Sequence, residues 1–117
     1  MTNQEVANKL VSLLREGKFN EVYDELFHPD AHHIEPQSEY FADLKGVEAI
    51  KAKDAAMSEH LEGVESMEVG DAIIASKHIA IPYKLTAKLK DGNQMSLDEL
   101  IVYELSDGKI LSEQFFY

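Results

Sequence analysis

A single glutamate interrupts an otherwise apolar row of alternate residues near the carboxyl end of the chain. Glu99 shares this row with Met95, Leu97, Ile101, Tyr103 and Leu105. Alternate residues of a strand point to one face, so the row predicts a strand with one buried face. A carboxylate on such a face must find a partner, line a wet pocket or take up a proton. Glu99 is therefore a candidate for acid–base chemistry and marks a predicted ligand cavity.

A second candidate carboxylate, Glu35, directly precedes Pro36 at the end of a short strand-like run. His33 lies on the same face of that predicted strand, so the two side chains can form a His/Glu acid–base pair. A carboxylate at a pocket rim can move a proton if its surroundings tune its pKa. We predict that Glu35 and Glu99 are catalytic, with Glu35 as the base. The alternative is that Glu35 is a surface residue that precedes a turn.

Glu99 also has a purely structural interpretation. If Asp91-Gly92 makes a two-residue hairpin turn, Lys84 on the preceding strand lies directly opposite Glu99. A cross-strand ion pair between Lys84 and Glu99 would then explain both residues without any catalysis.

Helix and strand periodicity places further polar side chains near the two carboxylates. Lys53 and Asp54 make part of the inward face of a predicted helix polar, although the Lys53 amine could instead reach solvent. Glu113 alternates with Phe115 on the last predicted strand, where it faces either the cavity or solvent. The predicted pocket-lining residues are His33, Lys53, Asp54, Lys84, Ile101, Tyr103, Glu113, Phe115 and Tyr117.

Cofactor and metal sites have little support in the sequence. There is no Gly-rich phosphate loop, no Ser or Cys nucleophile motif and no paired-histidine metal motif. A metal site built from His33, Glu35 and Glu99 is an alternative, but we favour a pocket with neither metal nor cofactor.

Charge and composition restrict the expected partners. The chain has 117 residues, no Cys, a formal net charge of −11 at pH 7, and Arg15 as its single arginine. Such a charge disfavours binding to nucleic acid and to anionic membrane surfaces, and the scarcity of arginine disfavours phosphate-rich ligands. No apolar run is long enough for a transmembrane helix, and no signal peptide is recognisable. We expect one domain over residues 1–117 in a cytoplasmic protein that binds a small molecule.

Periodicity predicts three helices followed by an antiparallel meander of four long strands. Thr2 and Glu5 have capping-box spacing, and Gly17 ends the first helix. Asn20 is predicted to cap the second helix, which ends near Pro29. A strand over 31–35, a loop over 37–45 and a helix over about 47–61 follow, and the long strands are 64–76, 78–89, 95–105 and 110–116. This order is typical of an α+β domain with helices on one face of a curved sheet.

Four segments of the chain resemble the SnoaL-like branch of the nuclear transport factor two-like superfamily. They are LLREGKF from residue 13, HIEP from residue 33, GVEAI from residue 46, and DGKI from residue 107 with the terminal FFY. The resemblance implies a cystatin-like cone, in which a curved, mainly antiparallel sheet wraps three N-terminal helices and leaves a ligand pocket at the open end. It also implies homodimers through the outer sheet face. Relatives include isomerases, cyclases, dehydratases, hydrolases and non-catalytic binders.

Ketosteroid isomerase belongs to the same superfamily and uses an aspartate before a proline as its general base, an arrangement that Glu35-Pro36 resembles. Its oxyanion-stabilising aspartate and tyrosine correspond to Ile101 and Leu10 here, so the resemblance argues against steroid isomerisation. Two functions stay open. The first is a proton-transfer enzyme acting on a small, partly apolar molecule by isomerisation, cyclisation, dehydration or hydrolysis. The second is a non-catalytic, dimeric small-ligand-binding or regulatory module.

Overall fold

The three helices lie in the first half of the chain in a computed structural model, which describes residues 1–36 and 43–117. They are α1 (Asn3–Arg15), α2 (Phe19–Leu26) and α3 (Val47–Ser58). The predicted capping box is present, because the Glu5 amide donates to Thr2 Oγ1 at 3.1 Å and the Thr2 amide donates to Glu5 Oε1 at 3.0 Å. The apolar stripe of α1 is buried and supplies one wall of the core, as amphipathic spacing requires.

The predicted ends of α2 and α3 differ from those observed. Helix α2 begins at Phe19 with Lys18 as its N-cap, so the predicted Asn20 cap is wrong. The chain turns extended at Phe27, and Pro29 lies inside the first strand. The Phe27 ring explains this early exit, because it is buried and packs edge-on against Tyr23 with ring centroids 5.0 Å apart. Helix α3 ends before residue 59, and Leu61 instead begins a strand.

The strands are β1 (Phe27–Ile34), β2 (Asp43–Lys45), β3 (Leu61–Val69), β4 (Ile73–Ile74), β5 (His78–Leu89), β6 (Gln94–Ser106) and β7 (Lys109–Phe116). Part of the loop predicted over 37–45 is therefore strand β2, and residues 37–42 of that loop lie outside the described residues. The strand predicted over 64–76 is two strands. The break follows Gly70, where an added Cβ would lie 2.9 Å from Cγ of Pro82.

One sheet holds all the strands of the described chain, in the order β2-β1-β7-β6-β5-β3, with β4 also paired to β5. Strands β1 and β7 run parallel and the other pairs run antiparallel. The helices pack on the inner face of this sheet around a core that includes Leu10, Leu26, Ile50, Ile81 and Ile110. The predicted α+β class and the mainly antiparallel sheet are confirmed.

The register between β5 and β6 corrects one prediction. The turn holds Lys90, Asp91 and Gly92, with Gly92 at φ +92°, and the Leu89 amide donates to the Asn93 carbonyl at 2.8 Å. This turn is one residue longer than predicted, and a shift of one residue exchanges the partners across the strand pair. Tyr83 therefore lies opposite Glu99, and Lys84 lies opposite Asp98.

The outer face of the sheet carries an apolar row across its central strands. Pro82 on β5 pairs with Leu100 on β6, which pairs with Phe116 on β7. The side chains of Leu100 and Phe116 are 40% and 46% exposed in the single chain. Within the described part of the chain, no helix is long and apolar enough to cross a membrane.

Candidate active-site cavity

A cavity of about 700 Å³ lies between the helices and the inner face of the sheet. Its size suits a small organic ligand. One part of its wall is apolar and comes from α2, α3, β5 and β6, including Phe19, Val22, Met57, Leu85, Met95 and Leu97. The other part is polar and contains Tyr23, Glu35, Lys53, Asp54, Tyr83, Glu99, Tyr103 and Glu113. The cavity therefore has an apolar region that can hold the apolar part of a ligand, and this region lies beside a group of titratable side chains.

His33 is the centre of the polar part, although it lies behind the cavity wall and is 0% exposed. It is the register partner of Glu113 across the parallel β1–β7 pair, so both side chains project from neighbouring strands on one face. His33 Nδ1 lies 2.9 Å from Glu113 Oε1, and His33 Nε2 lies 3.2 Å from Glu35 Oε2. The imidazole thus links a buried carboxylate to the carboxylate at the end of β1.

Helix α3 adds a cation to this cluster. Lys53 Nζ lies 3.2 Å from His33 Nε2, 3.7 Å from Glu35 Oε2 and 5.5 Å from the centre of the Phe115 ring. Its side chain is only 10% exposed, so the amine points inward and not into solvent. The neighbouring Asp54 accepts a hydrogen bond from the Tyr23 hydroxyl of α2.

Burial, hydrogen bonds and neighbouring charges shift the pKa values of the groups in this cluster. Burial disfavours the imidazolium, but hydrogen bonds to Glu113 and Glu35 outweigh burial and raise the pKa of His33. The hydrogen bond from His33 lowers the pKa of Glu35, and the charge of Lys53 lowers it further. Burial opposes both effects. Burial raises the pKa of Glu113 despite its bond to His33. Glu35 is therefore ionised at neutral pH and held in place by Lys53 and His33.

Glu99 has the opposite behaviour. It is 7% exposed, lines the cavity beside Tyr83, and has its pKa raised to about 7, first by burial and then by the charge of Glu35. Burial and the Glu99 charge also raise the pKa of Tyr83 to about 12. At neutral pH a large share of Glu99 is protonated while Glu35 is not, which is the separation that acid–base chemistry requires.

The structure brings most of the predicted pocket residues together. Ile101, Tyr103, Glu113 and Phe115 line the cavity with both predicted catalytic carboxylates, and His33 lies directly behind it. Lys84 does not line the cavity. Its side chain is exposed opposite Asp98, so its predicted pocket position and its predicted pairing with Glu99 are both wrong. Tyr117 is exposed and is not one of the residues that line the cavity, so its predicted pocket position is wrong. Partial desolvation of its hydroxyl and the Glu35 charge raise its pKa.

Sequence reasoning missed two tyrosines of the site. Tyr23 and Tyr83 are not among the predicted site residues, yet both line the cavity near the carboxylates. Their residue type carried a signal, because a buried Tyr hydroxyl usually needs a polar partner. In Tyr23 that partner is Asp54, which was itself predicted to face inward.

The sequence model of the SnoaL-like domain family matches residues 1–117, the whole of this chain. The chain belongs to the SnoaL-like domain family. The resemblance predicted from the four segments is thus confirmed. Among curated proteins, none matches the chain with significant similarity.

Solved structures share the fold of this SnoaL-like protein. A candidate SnoaL-like polyketide cyclase from Mesorhizobium loti is 26% identical, with a TM-score of 0.92 and 100% of both chains covered. A protein of unknown function with a cystatin-like fold from Xanthomonas campestris is 16% identical, with a TM-score of 0.81, covering 99% of this chain and 90% of that one. A protein with a ketosteroid isomerase-like fold from Catenulispora acidiphila, in complex with trimethylamine, is 19% identical, with a TM-score of 0.75 and 99% and 87% covered. The predicted cystatin-like fold is confirmed.

Proposed function

We propose that this SnoaL-like protein catalyses proton transfer on a small, partly apolar molecule. Glu35 is the general base and Glu99 the general acid. One observation carries the proposal: both carboxylates line one cavity, and their surroundings move the two pKa values in opposite directions. Pairs of titratable groups with separated pKa values are the usual mark of acid–base assignments in an active site.

In the proposed reaction, the ionised Glu35 takes a proton from a carbon or oxygen atom of the bound molecule. The protonated Glu99 donates a proton to an oxygen on which negative charge develops. His33 and Lys53 hold Glu35 in position, and both lie within hydrogen-bond or ion-pair distance of it. His33 is a positioning residue in this scheme, because it lies behind the cavity wall. Isomerisation, cyclisation and dehydration fit these two steps, and hydrolysis fits them when Glu35 takes its proton from a water molecule that attacks the bound molecule.

Glu35→Gln is expected to remove most of the activity. The probe is exchange of α-protons for deuterium in a panel of small cyclic ketones, followed by proton NMR in D₂O. The wild type should accelerate exchange in at least one ketone, and Glu35→Gln should slow it by about 10²–10⁴-fold, the usual contribution of a general base. Glu104→Gln is the matched control, because Glu104 is exposed on the opposite face of β6 from Glu99.

Two outcomes would contradict the proposal, and each leads to a different conclusion. Unchanged exchange in Glu35→Gln shows that another group is the base. No acceleration of any ketone by the wild type favours the second function, a non-catalytic small-ligand module. That alternative has one structural observation in its favour, since His33 and Lys53 already contact the Glu35 carboxylate.

We further propose that the protein is a homodimer through the apolar row of Pro82, Leu100 and Phe116 on the outer sheet face. Contiguous exposed apolar residues on a sheet face are typical of interaction surfaces. Leu100→Glu is expected to shift the protein from dimer to monomer in light scattering after size exclusion. Val64→Glu is the control, because Val64 is exposed but pairs with Ala87 outside this row. A wild-type monomer, or a dimer that survives Leu100→Glu, contradicts the proposal.

A further inference from the structure

The polar part of the cavity holds more negative than positive groups. Five carboxylates line the cavity, from Glu35, Glu48, Asp54, Glu99 and Glu113, and Lys53 is the cation within the polar part. His33 adds at most one further positive charge from behind the wall. Lys51 also lines the cavity, but its amine is bound to Asp24. With every group in its ordinary charged state, the carboxylates outnumber the nearby cations.

Residues outside the described ranges cannot supply the missing positive charge. Positions 37–42 read QSEYFA, which contains no Lys, Arg or His. The excess of carboxyl groups over basic groups at the cavity is therefore a property of the sequence as well as of the described geometry.

Glu99 is the buried carboxylate of this group for which the described side chains provide no direct partner. Its side chain is 7% exposed and lines the cavity. Among the side chains of residues 1–36 and 43–117, no ion pair or hydrogen bond to its carboxylate is found. A carboxylate in this position gains most from a ligand that brings a positive charge or a proton donor.

Aromatic rings line the same cavity as these carboxylates. Tyr23, Tyr83, Tyr103 and Phe115 line the cavity, and the Lys53 amine already lies 5.5 Å from the centre of the Phe115 ring. Ring faces attract cations, and clusters of aromatic rings with carboxylates recognise ammonium groups. The cavity volume of about 700 Å³ far exceeds the size of a metal ion. In the described part of the chain, no group of three His, Asp or Glu side chains is arranged to hold one.

We infer that this cavity binds an organic cation, with an ammonium group beside Glu99 and an apolar body against the wall of Phe19, Met57, Leu85 and Met95. The inference rests on the cavity of the proposed function. It concerns the ionised form of Glu99, whereas the protonated form is the one that acts as the acid, and a pKa of about 7 populates both near neutral pH. An ammonium group donates hydrogen bonds and charge to Glu99, while the apolar body fills the space that the charged cluster leaves.

The test compares phenethylamine, phenethyl alcohol and phenylacetate, which carry one aromatic body with a cationic, a neutral or an anionic end. Isothermal titration calorimetry should give an affinity for the amine about tenfold or more above that for the alcohol. Phenylacetate should bind most weakly. Glu99→Gln should weaken amine binding several-fold and leave alcohol binding unchanged, and Glu104→Gln should change neither.

The amine should also bind more tightly at about pH 8 than at about pH 6, because Glu99 ionises between them. Deprotonation of His33 at higher pH removes a positive charge and acts in the same direction. The titratable and charged groups around Glu99 are Tyr83 on β5, Tyr103 on β6, Glu113 on β7, Lys53 on α3, His33 on β1, Glu35 after β1, and Tyr117.

Equal or tighter binding of the alcohol or of phenylacetate overturns the inference, and so does the absence of saturable amine binding. Failure here is distinguishable from failure of the proposed function. Ketone exchange that depends on Glu35 without a preference for the amine leaves the enzyme proposal standing. A clear amine preference without any exchange activity leaves the cation site standing in a binding protein.

Discussion

His33→Leu is expected to lower the free energy of unfolding by about 3–5 kcal/mol, the usual cost of removing one partner of a buried ion pair. The side chain is 0% exposed and donates toward Glu113, which is itself only 4% exposed. Leucine fills the space of the ring but leaves the Glu113 carboxylate without this partner. Urea denaturation at neutral pH measures the change, with the slope of the transition as a check that unfolding remains two-state.

Two further variants separate the ion pair from simple packing. Glu113→Gln should cost less, about 1 kcal/mol, because a glutamine oxygen can still accept the proton of His33 Nδ1. The double variant His33→Leu/Glu113→Leu should regain much of the stability that His33→Leu loses, since no unpaired charge remains. A cost below about 1 kcal/mol for His33→Leu would show that Glu113 is already neutral or solvated in the folded protein.

The sign of the pH effect provides an independent check on His33. Its pKa is raised in the folded state, so its contribution is fully present below the unfolded pKa of 6.5 and is lost as pH rises through the folded value. The stability difference between the wild type and His33→Leu should therefore shrink as the pH increases above 6.5 and through the raised pKa of the folded state.

Local patterns were sufficient to predict the parts of the site that depend on one strand. The alternation around Glu99 requires only a period of two residues, and it placed Glu99, Ile101 and Tyr103 on the buried face of β6. Helix spacing likewise placed Lys53 and Asp54 inward on α3. These predictions succeed because the spacing of apolar residues along a single strand or helix shows which of its faces is buried.

Features that depend on distant residues could not be predicted. The His33–Glu113 bond joins residues 80 positions apart across a parallel strand pair, and no local pattern reports that contact. The partner of Glu99 depended on the length of the turn near Gly92. One extra residue there replaced Lys84 with Tyr83 opposite Glu99, and an expected ion pair became a carboxylate facing the cavity.

Glu99→Gln is expected to stabilise the protein by about 1–3 kcal/mol at about pH 8. The pKa of Glu99 rises from 4.5 to about 7 on folding, a difference that corresponds to about 3 kcal/mol for a single site. Water in the cavity screens part of this energy, which sets the lower bound. Glutamine keeps the shape of the side chain and its hydrogen-bonding atoms but carries no charge, so it avoids the cost of burying the carboxylate.

The pH dependence decides whether this gain comes from charge. A raised folded pKa means that the native state holds more protons than the unfolded state between pH 4.5 and about pH 7, so Glu99 lowers stability as pH rises through that window. Thermal melts of the wild type and Glu99→Gln should therefore coincide below about pH 4 and separate progressively up to about pH 8. Glu104→Gln, on the exposed face of the same strand, should follow the wild type throughout. A Glu99→Gln variant that is less stable than the wild type at about pH 8 would mean that the carboxylate has a stabilising partner in the fold. The acid role proposed for Glu99 would then be lost, because a paired carboxylate would not hold a proton at neutral pH.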